Sequence, residues 1–361
     1  MEHRPTSKES TRRRELKQHR LLIAVLALAM MLASCGGSDD DTESTDGATQ
    51  TTAAAQTTAA ASETTAAPSD SGDGAGAIAI ITVDPSNPYW KAEIDTAAAE
   101  AEALGYSTTI DAHYNDPDQQ NQFIDGAISK GVVAIILDPA GAEESVGAVQ
   151  KATDAGIPVF LVNAEISEQG IAKSQIVSNN AQGATLGAQF WAEAMGGEGL
   201  YVELFGNPTD NNARVRSDAY AEVLVQYPGL ERLQIETANW DRQQGKEKME
   251  IMLSAHPEMT GVISGNDEMA LGAIQALKDA GRDDVLVLGF DGNQDAVDAV
   301  LAGDMVATVL QPIVTGSQLA VQQAHEYLTT GSTGVDAEKQ AIDCVLITPE
   351  NAPQMDNFVM N

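Results

Sequence analysis

The chain has 361 residues, with 20 Lys+Arg against 53 Asp+Glu, a net charge of −33, two Cys and 4% aromatic side chains. Its length exceeds what one small core organises and implies two lobes of ordinary domain size. The charge repels phosphate backbones and anionic membrane surfaces, which argues against nucleic acid as a partner. Two Cys cannot build a disulfide framework or a Cys-rich zinc site, and 43% hydrophobic residues exclude a wholly disordered chain.

In chain order, residues 1–20 hold seven Lys/Arg against three Glu, and the apolar run Leu21–Leu32 leads into Ala33-Ser34-Cys35. A basic start, a short apolar stretch and small residues before a cut describe a secretory signal over 1–35. The run is about 12 residues, short of the roughly 20 a spanning helix needs. Leu32-Ala33-Ser34-Cys35 resembles the bacterial lipobox, so Cys35 is expected to carry lipid as the first mature residue. Thr11-Arg12-Arg13-Arg14 also looks like part of a twin-arginine export signal. Residues 36–76 are mostly Thr, Ala, Ser, Gly and Asp, with eight acids and no Lys or Arg. Almost nothing there is apolar and larger than Ala, so the segment reads as a disordered acidic tether. As a flexible coil it reaches on the order of 35 Å.

From Ala77 the chain alternates apolar runs with helical stretches. Strands are predicted at Ala77–Val83, Tyr106–His113, Val132–Leu137 and Pro158–Val162, with helices at Asn87–Leu104, Pro117–Lys130 and Glu143–Ala155 between them. After a division near Ser178–Asn180, strands follow at Leu200–Phe205, Leu233–Thr237, Gly261–Ser264, Val285–Gly289 and Val306–Leu310. Helices at Ala213–Gln226, Gln243–Ala255, Glu268–Ala280 and Asp295–Leu301 separate these. Continuous apolar strands joined by helices indicate parallel sheets covered on both faces, here two doubly wound α/β lobes. Ligand chemistry then belongs at the carboxyl ends of the strands.

The corners after those strands carry the functional signal. Asn87-Pro88-Tyr89-Trp90 supplies an N-cap, a proline at the first helical position, and two large aromatics at the mouth of the sheet. Flat apolar rings suit the C–H faces of a sugar, although such a pair also serves to staple a loop to its own lobe. Trp240 lies after a strand of the other lobe, whereas Trp191 falls mid-helix and reads as core filler.

Gly265-Asn266-Asp267-Glu268-Met269-Ala270-Leu271-Gly272-Ala273, followed by Gly289-Phe290-Asp291-Gly292, resembles the periplasmic ribose-binding protein family. The corner Asn87–Trp90 and the run Ala213-Arg214-Val215-Arg216 match it in order and spacing, over about 285 residues from Ala77. The resemblance implies the type I periplasmic binding protein fold: α/β, two doubly wound parallel-sheet lobes joined by a three-segment hinge. It assigns 77–178 and 312–341 to the first lobe, and 179–311 and 342–361 to the second. It implies ligand contacts from Asn87, Tyr89 and Trp90, from Asn163, from Arg214 and Trp240, and from Asn266, Asp291 and Gln311. These types suit the task, because a hydroxyl both donates and accepts; Arg only donates, ionised Asp only accepts, and Asn and Gln do both. Where ribose binders carry Asp-Arg after the fourth strand, this chain has Asn163-Ala164-Glu165. The hydroxyls read there must therefore differ, with Glu165 a candidate replacement contact.

The sequence holds no phosphate loop, dinucleotide fingerprint or nucleophile elbow. Beyond the signal only His113, His256 and His325 remain, without metal-ligand spacing, so no catalytic residue, metal or cofactor is expected. Asp291-x-Asn293-x-Asp295 has the start of a calcium loop, but Ala296 stands where that loop needs Gly. Cys344, in a predicted late strand Ala341–Ile347, should be buried and inert. A sugar-sensing repressor would need a basic DNA-binding module at its start, and a glycosidase two carboxylates across its cleft. The expected protein is a monomeric receptor for a monosaccharide or polyol, lipid-anchored outside the cytoplasmic membrane, that serves the transmembrane subunits of an ABC permease.

Overall fold

The computed structural model describes residues 75–361. The export signal, Cys35 and nearly all of the tether lie outside these residues. The described chain forms two parallel sheets, each flanked by helices.

The first sheet contains β1 (Ala77–Thr82), β2 (Ser107–Ala112), β3 (Ala134–Leu137), β4 (Val159–Asn163), β5 (Ser174–Ser178) and β11 (Lys339–Ile342), in the order β11-β5-β4-β3-β1-β2, all parallel. Its strands alternate strictly. Ile78 and Ile80 point to a core that also holds Ala97, Ala101, Ala320 and Ala324, while Ala79 and Ile81 point to one holding Val149 and Leu161. Helices α1 (Pro88–Ala103), α2 (Pro117–Lys130) and α3 (Val146–Asp154) join the first four strands. Each start is written locally in α1 and α2, where Asn87 and Asp116 cap the free N–H groups and proline opens the helix.

The second sheet has the order β7-β6-β8-β9, from β6 (Glu198–Phe205), β7 (Gly229–Thr237), β8 (Gly261–Ser264) and β9 (Leu286–Leu288). A bridge from Leu288 to Ala307 sets β10 (Thr308–Leu310) beside β9, and β12 (Val345–Ile347) pairs antiparallel with β10. Helices α4 (Asn180–Ala194), α5 (Asn211–Leu224), α6 (Arg242–Ala255), α7 (Asp267–Asp279) and α8 (Gln294–Ala302) cover it. Trp191 is fully buried there, its indole N–H donating to Leu286 O at 3.0 Å.

The chain passes between the sheets three times: from β5 into α4, from β10 into α9 (Ile313–Thr330), which packs on β3, β4 and β5, and from β11 to β12. The last passage corrects the single late strand expected at Ala341–Ile347. Its halves belong to different sheets, so the ladder breaks at Asp343-Cys344. Cys344 is buried at that break, and burial pushes its thiol up to about 12.

Candidate functional site

The corners at the carboxyl ends of β1, β4, β6, β7, β8, β9 and β10 turn toward one narrow cleft. Asn87, Tyr89 and Trp90 follow β1, Asn163 ends β4, Asp210 and Asn212 follow β6, Trp240 follows β7, Asn266 follows β8, Asp291 follows β9 and Gln311 follows β10, and together they line it. The strand order makes this convergence, since each βα corner opens on the same side of its sheet.

In the first lobe the lining side chains are wired to each other. Asn87 Oδ1 accepts from Tyr89 N at 2.9 Å, which fixes the first turn of α1 and the aromatic pair with it. The Tyr89 hydroxyl donates to Asn163 Oδ1 at 3.0 Å, and Asn163 Nδ2 donates to Asp138 Oδ2 at 2.8 Å. Trp90 Nε1 donates to the same carboxylate oxygen at 2.9 Å. Asp138, at the end of β3, thus orients both an aromatic plate and an amide, and sequence reasoning missed it because it sits behind the lining. Burial, partly offset by the bond from Asn163, holds its carboxyl near 8. Glu93, one turn along α1, is also buried and held well above its usual range, by burial first and then by Asp138.

The second lobe supplies the guanidinium, but from Arg216 and not Arg214. Arg214 is a correction: on α5 it lies 200° around the helix from Arg216, faces solvent with 67% of its side chain exposed, and pairs with Asp218 and Asn211. Arg216 is 3% exposed. Its Nε donates to Asn180 Oδ1 at 2.8 Å, and one terminal nitrogen donates to Gly265 O at 2.8 Å and stands 3.5 Å from Asp291 Oδ1. Its plane lies over the rings of Phe290 and Trp240, at 4.1 and 5.2 Å from their centroids. The run matched by the resemblance contains both arginines; the inward face of the helix, shared with Asn212, Ala213, Ala219 and Tyr220, selects between them.

Asp291 accepts from Gln311 Nε2 at 2.7 Å, and burial drives its carboxyl well up against the opposing pull of Arg216. Asn266 caps α7 through its Oδ1 while its Nδ2 donates to Trp240 O at 3.3 Å. The backbone is strained here: Asn163, Trp240 and Asp291 have φ of +66°, +66° and +132°, conformations that L side chains hold only where the surroundings over-determine them. Beneath Trp240 the chain is Gly206, where a Cβ would lie 2.1 Å from the indole. Among the lining residues Gln311 Oε1, an acceptor in a side chain 1% exposed, has no partner, while the Trp240 indole N–H lies against the Asp210 carboxylate and works against the effect of burial on it.

Asp210 and Asn212 line the cleft without having been expected. Asp210 caps α5, accepting from Asn212 N at 2.8 Å, and burial raises its carboxyl. The N-cap signature of Asp210 was readable in the sequence; that its free face meets the cleft was not. Glu165 does not line the cleft and instead bonds Asn211 and Lys339. Asn293 caps α8, and Asp295 pairs with Arg242, so these two partners of the calcium-like spacing are engaged elsewhere.

The chain matches the periplasmic binding protein domain over residues 78–333. It is 50% identical over 286 residues to the D-apiose import binding protein of Paraburkholderia graminis, covering 79% of this chain and 91% of that one. With the ribose import binding protein of Escherichia coli it shares 31% identity over 234 residues, 65% of this chain and 78% of the other. Its fold matches the solute-binding protein of Actinobacillus succinogenes crystallised with D-allose, at a TM-score of 0.73 and 26% identity over 78% of this chain and all of that one. The chain therefore belongs to the periplasmic binding protein family, in its extracytoplasmic, sugar-binding branch of ribose-binding-protein-like type I members.

Proposed function

We propose that this protein is the receptor of a sugar importer, that it closes on one monosaccharide between its lobes, and that the ligand is a pentose, D-apiose first among them. The observation that carries the reading is the set of polar groups that both lobes bring to one cleft, Asn163, Arg216, Asn266, Asp291 and Gln311, with Gln311 Oε1 buried and unpartnered among them. A buried acceptor left unmade is costly, and a hydroxyl that donates to it can accept from a neighbouring amide or guanidinium. Tyr89 and Trp90 offer rings from one side and Trp240 from the other, which suits a flat polyhydroxylated ring. The 50% identity to two D-apiose import binding proteins supports that pentose over ribose, to whose binders the identity is 31%. Ala164, in place of the arginine of ribose binders, supports the same choice.

The mechanism follows from a ligand that touches both lobes. Open and closed forms coexist, the sugar binds the closed form better, and the population shifts accordingly. The closed, loaded receptor then meets the permease while Cys35 holds a monomeric body near the membrane by its lipid. We read the protein as a receptor and not an enzyme, so glycosides of the bound sugar should be left intact on prolonged incubation. A thermal-shift screen of the body from about Ala75 against D-apiose, other pentoses, hexoses and polyols tests the ligand. A binder raises the melting temperature because it binds only the folded form; no response from any sugar or polyol would sink the reading.

A further inference from the structure

At the edge of the ligand cleft, the two lobes meet through a row of polar bonds along one rim. Asn211 Nδ2 donates to Glu165 Oε1 at 2.9 Å, Asn212 Nδ2 donates to Asn163 O at 3.3 Å, and Ala142 N donates to Thr209 O at 3.3 Å. Each joins the loop before α5, or its first turn, to a loop at the carboxyl edge of the first sheet. Glu165 is held for this contact from its own lobe, its other oxygen paired with Lys339 at the head of β11. Asn211 is held from the other, its Oδ1 accepting from Arg214 Nη2 at 2.7 Å. Of these residues only Asn163 and Asn212 reach the cleft; Ala142, Glu165, Thr209 and Asn211 do not line it.

We propose that Thr209–Asn212 and the Asn163–Glu165 loop form a clasp that favours the closed arrangement whether or not sugar is present, with Glu165 and Asn211 positioning residues that set affinity without touching ligand. All these bonds cross from one lobe to the other, so they exist only when the lobes meet, and they add to closure by the same amount for every ligand. A contact to a hydroxyl, by contrast, discriminates between sugars that differ at that hydroxyl. Glu165 directly follows the two positions, Asn163 and Ala164, where the family resemblance places a ligand-reading pair, and it turns to Asn211 and Lys339 instead of the cleft. The oxygen that accepts from Asn211 survives in Glu165→Gln, while the charge that draws Lys339 is lost.

The inference rests on the receptor reading only for its ligand arm, and the test separates the two. In ligand-free protein carrying one spin label on the outer face of each lobe, pulsed distance measurement should show a closed fraction that falls in Glu165→Ala and in Asn211→Ala. Calorimetry with D-apiose and with a second, weaker-binding sugar should show each variant losing about three- to tenfold, up to ~1.4 kcal/mol. The factor should be equal for the two sugars, the double variant should lose less than the product of the singles, and Glu165→Gln should recover part of the loss. Identical distance distributions in ligand-free wild type and Glu165→Ala, or unequal factors for the two sugars, would overturn the clasp. If wild type binds no sugar, the receptor reading fails and the distances still decide.

Discussion

The two walls of the cleft reach their polar groups by opposite routes. In the first lobe Tyr89, Trp90 and Asn163 spend their hydrogen-bonding atoms on one another and on Asp138, so that wall is a finished network presenting ring faces. In the second lobe and the adjoining passage, Gln311 keeps an oxygen unbonded and Asp291 stands between Arg216 and Gln311, while the left-handed backbone of Trp240 and Asp291 is matched on the first wall by Asn163. One wall has its polar groups bonded among themselves; the other gathers amides and a carboxyl around a single guanidinium. On the receptor reading, shape is set by the first lobe and most of the hydroxyl recognition falls to the second.

The comparison breaks most visibly at Arg216. Arg216→Ala removes the partner of buried Asp291 and strands Asn180 and the carbonyl of Gly265, so unfolding should be easier by about 3–5 kcal/mol, read by chemical denaturation. Sugar binding by calorimetry should be lost with it. Next come Trp240→Ala and Asp291→Ala, each expected to weaken binding by more than about tenfold while the ligand-free protein still folds. Trp240→Phe sharpens the point. It keeps one ring but deletes the N–H together with part of the indole's area, and should still lose about tenfold, ~1.4 kcal/mol. Wild-type affinity in Trp240→Phe would mean that the ligand uses neither the N–H nor the full area of the indole.

How much of this was legible follows from where each signal is stored. The strand–helix alternation and the corner residues are local: Asn87-Pro88 states its own cap, and Asn266 caps α7 through the motif that carried the family resemblance. Three features were not local. Strand β5 reads poorly because Ser174-Gln175-Ile176-Val177-Ser178 is polar at three positions, all buried by neighbours remote in sequence. Asp138 looks like a loop acid until Trp90 and Asn163 are brought to it. The choice between Arg214 and Arg216 depends on which face of α5 the second sheet covers, and a four-residue match contains both faces.

Buried acids in both lobes give the fold a pH signature. Asp138 lies near 8 and Asp267 near 7, both raised chiefly by burial, while Glu93 is also held well above the ordinary range. Because Glu93 Oε2 has no other partner and turns to Asp138, a proton shared between the two makes that contact a hydrogen bond. A carboxyl whose folded value is raised keeps its proton in the folded chain after the unfolded chain has released it. Stability should therefore fall as pH rises from about 4 to 8, by several degrees of melting temperature. Repulsion within a net charge of −33 acts in the same direction but is screened by salt, whereas buried groups are screened much less. Melts from pH 5 to 8 in low and in molar salt should thus keep a residual slope, and Glu93→Gln should flatten it.

The smallest expected effect falls on the residue that the sequence chose for the ligand. Arg214 stands at the surface with Asp218, both side chains more than half exposed, and an i,i+4 pair of that kind contributes a few tenths of a kcal/mol. Its only link to the cleft runs through the Asn211 carbonyl oxygen, which water can serve once the guanidinium is gone. Arg214→Ala should then change sugar affinity by less than about threefold and leave the melting temperature almost unmoved, against the loss at Arg216 two residues along the same helix. A tenfold loss at Arg214 would mean that α5 turns on binding to present its outer face, and the division of labour between the two walls would have to be redrawn around a mobile helix.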